Sequence, residues 1–307
     1  MRKLTLLFVV GALSMPLAQA WGQEFSQLYI FGDSLSDVGN LAAATSGLSP
    51  APPFVDGRFS NGPVYVEVIA QELGLGTVAP ARRGGTNYAW GGAYSGEDRS
   101  ELSGLLTILS VRSQVADYLG SVGGAADPAA LYIFYPGSSD VDSFLDAGLD
   151  ANNGATAVSA AVAAAAEALQ SLVAVGAVKI LVPSVPDMNS TPQHAGKPGA
   201  TELSIQYNTE LSVVINGIST LEIVLFDNFT FTNQARADYA VPDAACFDES
   251  TGSVCGDPEN YLFFDDLHPT GPAHRALGLA MVAALDDTPT VIAGRSWGAV
   301  KAALGVR

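Results

Sequence analysis

The chain has 307 residues, enough for one large domain or two small ones, and carries 31 acidic against 14 basic residues, a formal net charge of −17. A surface this acidic repels phosphate backbones and anionic lipid headgroups, which argues against nucleic-acid binding and against electrostatic docking on membranes. The charge does not identify a chemistry, since acidity also serves solubility.

The first twenty residues have the layout of a secretory signal peptide. The basic pair Arg2 and Lys3 precedes an apolar run over residues 4–13, and the chain then reads Ala-Gln-Ala up to Ala20. The run is too short to cross a bilayer, which needs about 20 residues. We predict cleavage after Ala20, a secreted or periplasmic protein, and a single domain over residues 21–307 with no integral membrane segment.

Residues 28–40 read LYIFGDSLSDVGN and contain the first candidate for chemistry. The apolar run over residues 28–31 is typical of a strand buried on both faces of a parallel sheet. Gly32 permits a tight turn and Asp33 favours one. We therefore expect the hydroxyl of Ser34 at the carboxyl end of a strand, where open α/β sheets keep their ligand sites.

This stretch resembles the first block of the GDSL (SGNH) hydrolases, in the branch that reads FGDSLSDxGN. The resemblance implies an α/β fold, a three-layer α/β/α sandwich with a central, mostly parallel, flavodoxin-like sheet. It also implies a serine nucleophile at Ser34 and neither metal nor cofactor. We expect Asp33, Asp37, Gly39 and Asn40 to be structural near the site, the last three holding the nucleophile loop by hydrogen bonds rather than touching substrate.

Paired glycines follow at Gly91 and Gly92, after a proline-rich loop and a predicted helix beginning near Pro63. Glycine lets a backbone come close to another atom, and a backbone N–H is what an oxyanion requires. A plain glycine turn is the alternative. In the family's second block the glycine that donates to the oxyanion aligns with Gly92, with Gly91 as its packing neighbour.

A second apolar run at residues 131–135 predicts another buried strand, which ends before Gly137-Ser138-Ser139-Asp140. The family's third block is Gly-x-Asn-Asp, whose asparagine donates to the oxyanion, and Ser139 stands in its place. A hydroxyl is shorter than an amide and rotates, and losing one oxyanion donor costs roughly 3 to 4 kcal/mol. Either Ser139 substitutes, or a water or another side chain does, or the enzyme is slow.

The middle of the chain alternates helix and strand. We predict helices over 154–177 and about 200–219, and strands over 178–182 and 221–226. This alternation indicates a parallel sheet covered on both faces. In the less regular stretch that follows, four aromatic side chains either line an acyl pocket or cover the sheet edge: Phe229, Phe231, Tyr239 and Phe247.

The two cysteines, Cys246 and Cys255, are close in sequence in a chain predicted to be exported, so we predict a disulfide between them. A metal site is the alternative. No histidine stands at ligand spacing from either cysteine, which disfavours it.

A serine nucleophile needs an imidazole to take its proton, and the imidazole needs a carboxylate to fix its tautomer. Of the three histidines, His268 follows Asp265 by three residues, and the family's block Asp-x-x-His-Pro-Thr matches here in full with Asp265 as the orienting acid. Asp266 is the second choice for the acid. Solvated surface positions are expected for His194, in a Pro/Gly loop, and for His274, in a helix.

We therefore predict a secreted serine esterase or lipase that cleaves small-molecule or lipid esters through an acyl-enzyme on Ser34. His268 and Asp265 complete the predicted catalytic set, and the oxyanion is bound by Ser34, Gly92 and Ser139. The alternatives are an acyltransferase that uses the same residues and a binding protein that keeps the fold with weakened catalysis. No cofactor, metal or nucleic acid is expected.

Overall fold

The computed structural model describes residues 25–218 and 222–286. The predicted signal peptide and its cleavage site lie outside these residues, as do the predicted helix end at 219, the start of the following strand at 221, and residues 287–307. The strands are β1 (Leu28–Gly32), β2 (Arg99–Glu101), β3 (Leu106–Ile108), β4 (Leu131–Tyr135), β5 (Lys179–Pro183), β6 (Glu222–Phe226), β7 (Val241–Ala245), β8 (Phe247–Asp248), β9 (Ser253–Val254) and β10 (Tyr261–Phe263). The α-helices are α1 (Asn40–Ala44), α2 (Tyr65–Glu72), α3 (Val111–Ser121), α4 (Ser138–Asp146), α5 (Ala155–Ala174), α6 (Ala200–Asn216), α7 (Asn228–Ala235) and α8 (Gly271–Asp286).

The central sheet contains four parallel strands in the order β1-β4-β5-β6. Residues 86–90 run along the other edge of β1, where the Tyr88 N–H donates to the Ile30 carbonyl at 2.8 Å and the Trp90 N–H donates to the Gly32 carbonyl at 3.2 Å. This pairing carries the two glycines at 91 and 92 to the carboxyl end of β1, beside the turn that follows it.

Side chains of the inner strands alternate between two buried faces, because successive residues of a strand point to opposite sides. Phe31 and Tyr132 lie in one apolar cluster with residues of α3, α5 and α6. Ile30 and Ile133 lie in the other, with residues of α2 and α8. Helices therefore cover both faces of a parallel sheet, which confirms the predicted three-layer α/β/α architecture.

The alanine-rich helix α5 is long and apolar enough, by length and composition, to cross a membrane. The sequence predicts no such segment, because alanine is only weakly apolar. Within the structure, Val158, Ala165, Leu169 and Leu172 of α5 are buried in the cluster on the sheet. This pattern is that of a helix covering a core, as the spacing of its larger residues predicts.

The predicted disulfide is confirmed. Cys246 and Cys255 are bonded and bracket the small hairpin of β8 and β9. The half-buried Cys255 packs with the buried Cys246 against Phe247 and Phe264, so the bridge fastens the hairpin to the segment that precedes His268.

Candidate active site

Ser34 lies in a tight turn at the carboxyl end of β1. The Ser36 and Asp37 N–H groups both donate to the Asp33 carbonyl at 3.0 Å, and the Leu35 N–H donates to Asp33 Oδ1 at 3.1 Å. The side chain of Gln114 holds the end of the strand, since it bonds both the N–H and the carbonyl of Gly32 at 2.9 Å. The turn is thereby fixed on both sides of the serine.

Asp37 and Asn40 tie this turn to the segment at residues 86–91. Asp37 Oδ1 accepts the N–H groups of Gly39 at 2.7 Å and Asn40 at 2.6 Å, while its Oδ2 accepts the Gly91 N–H at 2.9 Å. The amide of Asn40 donates to the carbonyls of Asn87 and Ala89 at 2.7 and 2.8 Å. Gly39 has φ 126°, a conformation that favours glycine. None of these contacts requires a substrate.

The hydroxyl of Ser34 meets an imidazole that comes from the far end of the chain. His268 Nε2 lies 2.8 Å from Ser34 Oγ, and His268 Nδ1 lies 2.7 Å from Asp265 Oδ2. The other carboxylate oxygen, Asp265 Oδ1, accepts the N–H groups of Leu267 at 2.9 Å and His268 at 2.5 Å. Such a chain can pass the hydroxyl proton to Nε2 while the carboxylate stabilises the imidazolium.

Burial and neighbouring charges or hydrogen bonds shift the pKa values of these groups in opposite directions. Burial raises the pKa of Asp265, but the charge of His268 and hydrogen bonds outweigh it, so the pKa lies below its usual range. Burial lowers the pKa of His268, yet the Asp265 carboxylate and, more weakly, Asp33 raise it above its usual value overall. Burial raises the pKa of Asp33 to about 6, against the hydrogen bonds of Leu35 and Ser139.

Gly91 and Gly92 differ in the use of their N–H groups. The Gly91 N–H is occupied by Asp37, and a Cβ added at Gly91 would lie 2.3 Å from the ring of Phe59. The Gly92 N–H has no acceptor among the described residues, and Gly92 has φ 75° while its carbonyl accepts from Arg99 at 2.8 Å. Gly92 is therefore the one of the pair whose N–H is free to bind another atom.

Ser139 lies at the start of α4 and contacts Asp33 rather than Ser34. Its N–H donates to Asp33 Oδ2 at 3.1 Å. The neighbouring Ser138 Oγ is buried and has no hydrogen-bond partner among the described residues. Sequence reasoning did not select Ser138, because it stands at the variable position of the family's third block.

The expectation of surface positions for His194 and His274 is wrong, since both are fully buried. His194 Nε2 lies 2.7 Å from Asp142 Oδ1, where the loop before α6 packs on α4. His274 lies on the face of α8 that packs on α2, where its Nδ1 accepts the Tyr65 N–H at 3.3 Å. Burial lowers the pKa of His274 to about 3. Their burial comes from packing against α4 and α2, which are distant in sequence. Neither histidine contacts Ser34.

Asp266, the second choice for the acid, is exposed and contributes its carbonyl to a hydrogen bond from the Gln193 N–H at 2.8 Å. It therefore faces away from His268, whose ring is bonded to Asp265.

Three carboxylate and imidazole groups outside this site are close enough to share a cation: Asp142, Asp146 and His194. Each of the three side chains already has a partner, because His194 Nε2 bonds Asp142 and the Lys197 ammonium bonds Asp146 at 2.9 Å. The hydrogen bonds and the lysine charge account for the cluster without an ion.

Two cavities are possible positions for a substrate. The larger, about 1380 Å³, is a groove lined by residues of α2, α7 and α8, and it contains none of the predicted site residues. The smaller, about 50 Å³, is lined by Ser34, His268 and Ser139. The candidate nucleophile and base therefore border the smaller cavity. None of the four aromatic residues of the irregular stretch lines it, and Phe231 packs instead on Phe226 of the edge strand β6.

A family model described as GDSL-like Lipase/Acylhydrolase matches residues 28–281. Lipase 1 of Photorhabdus luminescens is 32% identical over 226 residues, which are 72% of this chain and 32% of that protein. GDSL esterase/lipase At2g19060 of Arabidopsis thaliana is 27% identical over 88% of this chain and 92% of its own length.

A phosphatidylcholine-sterol acyltransferase of Aeromonas hydrophila is 31% identical over 55% of this chain and 47% of that protein. This chain thus spans about a third of Lipase 1 and about half of the acyltransferase. Among solved structures, the acetylxylan esterase Axe2 of Geobacillus stearothermophilus is 15% identical with a TM-score of 0.48, over 87% of this chain and 98% of that one. A similarity this low carries no argument about substrate.

Proposed function

Because the chain belongs to the family of GDSL-like lipases and acylhydrolases, we propose that it is a secreted serine esterase that hydrolyses carboxylic acid esters through an acyl-enzyme on Ser34. Carboxylic ester hydrolysis is the activity of the family; the acyl-enzyme and the roles of single residues are our proposal. The observation that carries it is the continuous chain of hydrogen bonds from Ser34 Oγ through His268 to Asp265.

In the proposed reaction, Ser34 Oγ attacks the ester carbonyl carbon while His268 Nε2 takes the hydroxyl proton. The carbonyl oxygen becomes an oxyanion, which the N–H groups of Ser34 and Gly92 bind. Collapse of this intermediate breaks the bond to the alcohol, which leaves with the proton from His268. A water then gives its proton to His268, attacks the acyl group, and releases the acid and free Ser34.

Ser139 is the proposed third contributor at the oxyanion. Its backbone N–H bonds Asp33 at 3.1 Å, and its hydroxyl is short and rotates, so the hydroxyl is not held in one direction as a planar amide would be. We therefore assign the larger share of oxyanion binding to the two backbone N–H groups.

The test is the hydrolysis of p-nitrophenyl butyrate by the wild type, by Ser34→Ala, and by Ser159→Ala as a control on the exposed face of α5. We expect Ser34→Ala to lose activity by several orders of magnitude and Ser159→Ala to keep it. Mass spectrometry of the quenched wild type should find one acyl group on the peptide that contains Ser34. Hydrolysis that does not depend on Ser34 would overturn the proposal and favour a binding protein with this fold.

An acyltransferase is the second candidate, because one relative carries that name. The same residues would serve, with a bound alcohol in place of water. Product analysis with an added acceptor alcohol separates the two. Ester formed in excess of free acid would assign the transferase.

We also propose that the mature protein begins at Trp21, forms a single domain and is exported. The disulfide supports this, since such bonds persist in oxidising compartments. Sequencing of the amino terminus of the exported protein tests it, and an intact Met1 would contradict it.

A further inference from the structure

The cavity at Ser34 is small for the site of an ester hydrolase. At about 50 Å³ it has room for roughly three to five non-hydrogen atoms, since one water-sized probe takes about 10 to 15 Å³. Drug-sized ligands occupy pockets of roughly 300 to 1,000 Å³. A long acyl chain cannot lie wholly inside this cavity unless the walls move.

The walls of the cavity belong to packed elements. Met188, Phe263 and Leu277 are 2%, 2% and 5% exposed, and they come from the loop after β5, from β10 and from α8. The Met188 N–H bonds the Ser204 hydroxyl at 3.2 Å, which fixes the backbone of that loop on α6. Pro186 stiffens the same loop. Opening the cavity would therefore unpack three separate elements.

Polar side chains around the cavity are engaged by the protein itself. Ser190 Oγ donates to the Asp187 carbonyl at 2.6 Å, and Thr191 Oγ1 donates to the Met188 carbonyl at 2.7 Å. Asn228 donates to the Tyr135 hydroxyl at 2.6 Å. Among the described residues, Ser138 Oγ is a fully buried lining hydroxyl without a partner. The cavity thus presents mostly carbon to its contents and suits an unsubstituted alkyl chain.

We propose that this cavity is the acyl site and that it admits unbranched acyl groups of at most about six carbons, with Met188 limiting their length. The inference rests on the proposed esterase function. An alkyl chain of three to five carbons beyond the ester carbonyl fills the space, and a longer chain must either displace a packed wall or leave the cavity for water. A misfit of one methylene in an apolar pocket changes kcat/KM by roughly 10-fold or more.

The experiment is a series of p-nitrophenyl esters from acetate to decanoate, measured with the wild type, Met188→Ala and Met281→Ala. Met281 is a matched control, because it is equally buried in α8 but does not line the cavity. For the wild type we expect kcat/KM for octanoate to lie at least about 10-fold below that for butyrate. Met188→Ala removes three side-chain atoms and should raise the octanoate-to-butyrate ratio about 10-fold, whereas Met281→Ala should leave the ratio unchanged.

A wild-type kcat/KM that is equal or higher for octanoate or decanoate overturns the size limit, and this result needs no variant to fold. An unchanged ratio in a folded Met188→Ala overturns the role of Met188. Both results are distinct from failure of the esterase proposal, which would appear as butyrate hydrolysis that survives Ser34→Ala.

Discussion

Replacing Asp265 by asparagine should reverse the hydrogen bond that orients His268. Asp265 Oδ1 accepts two backbone N–H groups, from Leu267 at 2.9 Å and from His268 at 2.5 Å. In Asp265→Asn those donors hold the amide oxygen, so the amide NH₂ points at His268 Nδ1. Nδ1 must then accept, and the ring proton moves to Nε2, which faces Ser34 Oγ at 2.8 Å. In that tautomer Nε2 has no lone pair to take the serine proton.

The expected loss in kcat is about 10⁴-fold, the cost of a base held in the wrong tautomer. At 1.36 kcal/mol per factor of ten this is about 5 kcal/mol of transition-state stabilisation. Hydrolysis of p-nitrophenyl butyrate measures the loss, and thermal unfolding followed by circular dichroism checks that the variant is folded. Asp266→Asn makes the same change on the exposed neighbour and should be close to wild type. A folded Asp265→Asn with more than a tenth of the wild-type kcat would refute this account of the site.

Three further results are expected. The kcat/KM should rise with pH as His268 becomes neutral, and the midpoint of this rise should lie above 6.5 because the pKa of His268 is raised overall. Asp33→Asn should lower the midpoint, because it removes a negative charge that stabilises protonated His268. An unchanged midpoint in Asp33→Asn would contradict the influence of Asp33 on His268. Ser139→Ala should lower kcat less than about 10-fold, because the N–H groups of Ser34 and Gly92 bind the oxyanion and the variant keeps the Ser139 N–H that bonds Asp33. A loss of about 10²-fold or more would instead identify the Ser139 hydroxyl as an oxyanion donor. Replacing both Cys246 and Cys255 by serine should lower the free energy of unfolding by roughly 2 to 3 kcal/mol, because the disulfide no longer restricts the entropy of this short loop in the unfolded chain. A urea denaturation curve that matches wild type would contradict a stabilising role of the disulfide.

Ser139 stands where the family's third block has asparagine, and this difference is confined to one side chain. An asparagine amide is planar and could reach an oxyanion from the start of α4, whereas the serine side chain is shorter and rotates. Ser139→Asn is therefore an informative companion to Ser139→Ala.

The sequence by itself predicted a buried parallel sheet, because short, continuously apolar runs are typical of strands that are covered on both faces. The runs at 28–31 and 131–135 correspond to β1 and β4 within a residue. The resemblance to the family's motif blocks also predicted Ser34, Asp265 and His268 as the candidate catalytic residues, because a serine nucleophile needs a base and an orienting acid. The disulfide followed from two cysteines close together in a chain predicted to be exported.

The tertiary structure decided what depends on contacts between distant segments. The burial of His194 and His274 was not evident from sequence, because it comes from packing against α4 and α2 rather than from their own neighbours. Likewise the choice between the paired glycines depends on Asp37, which occupies the N–H of Gly91 and leaves that of Gly92 free. The size of the cavity at Ser34 is set by side chains from a loop, a strand and a helix, so no local pattern could have given it.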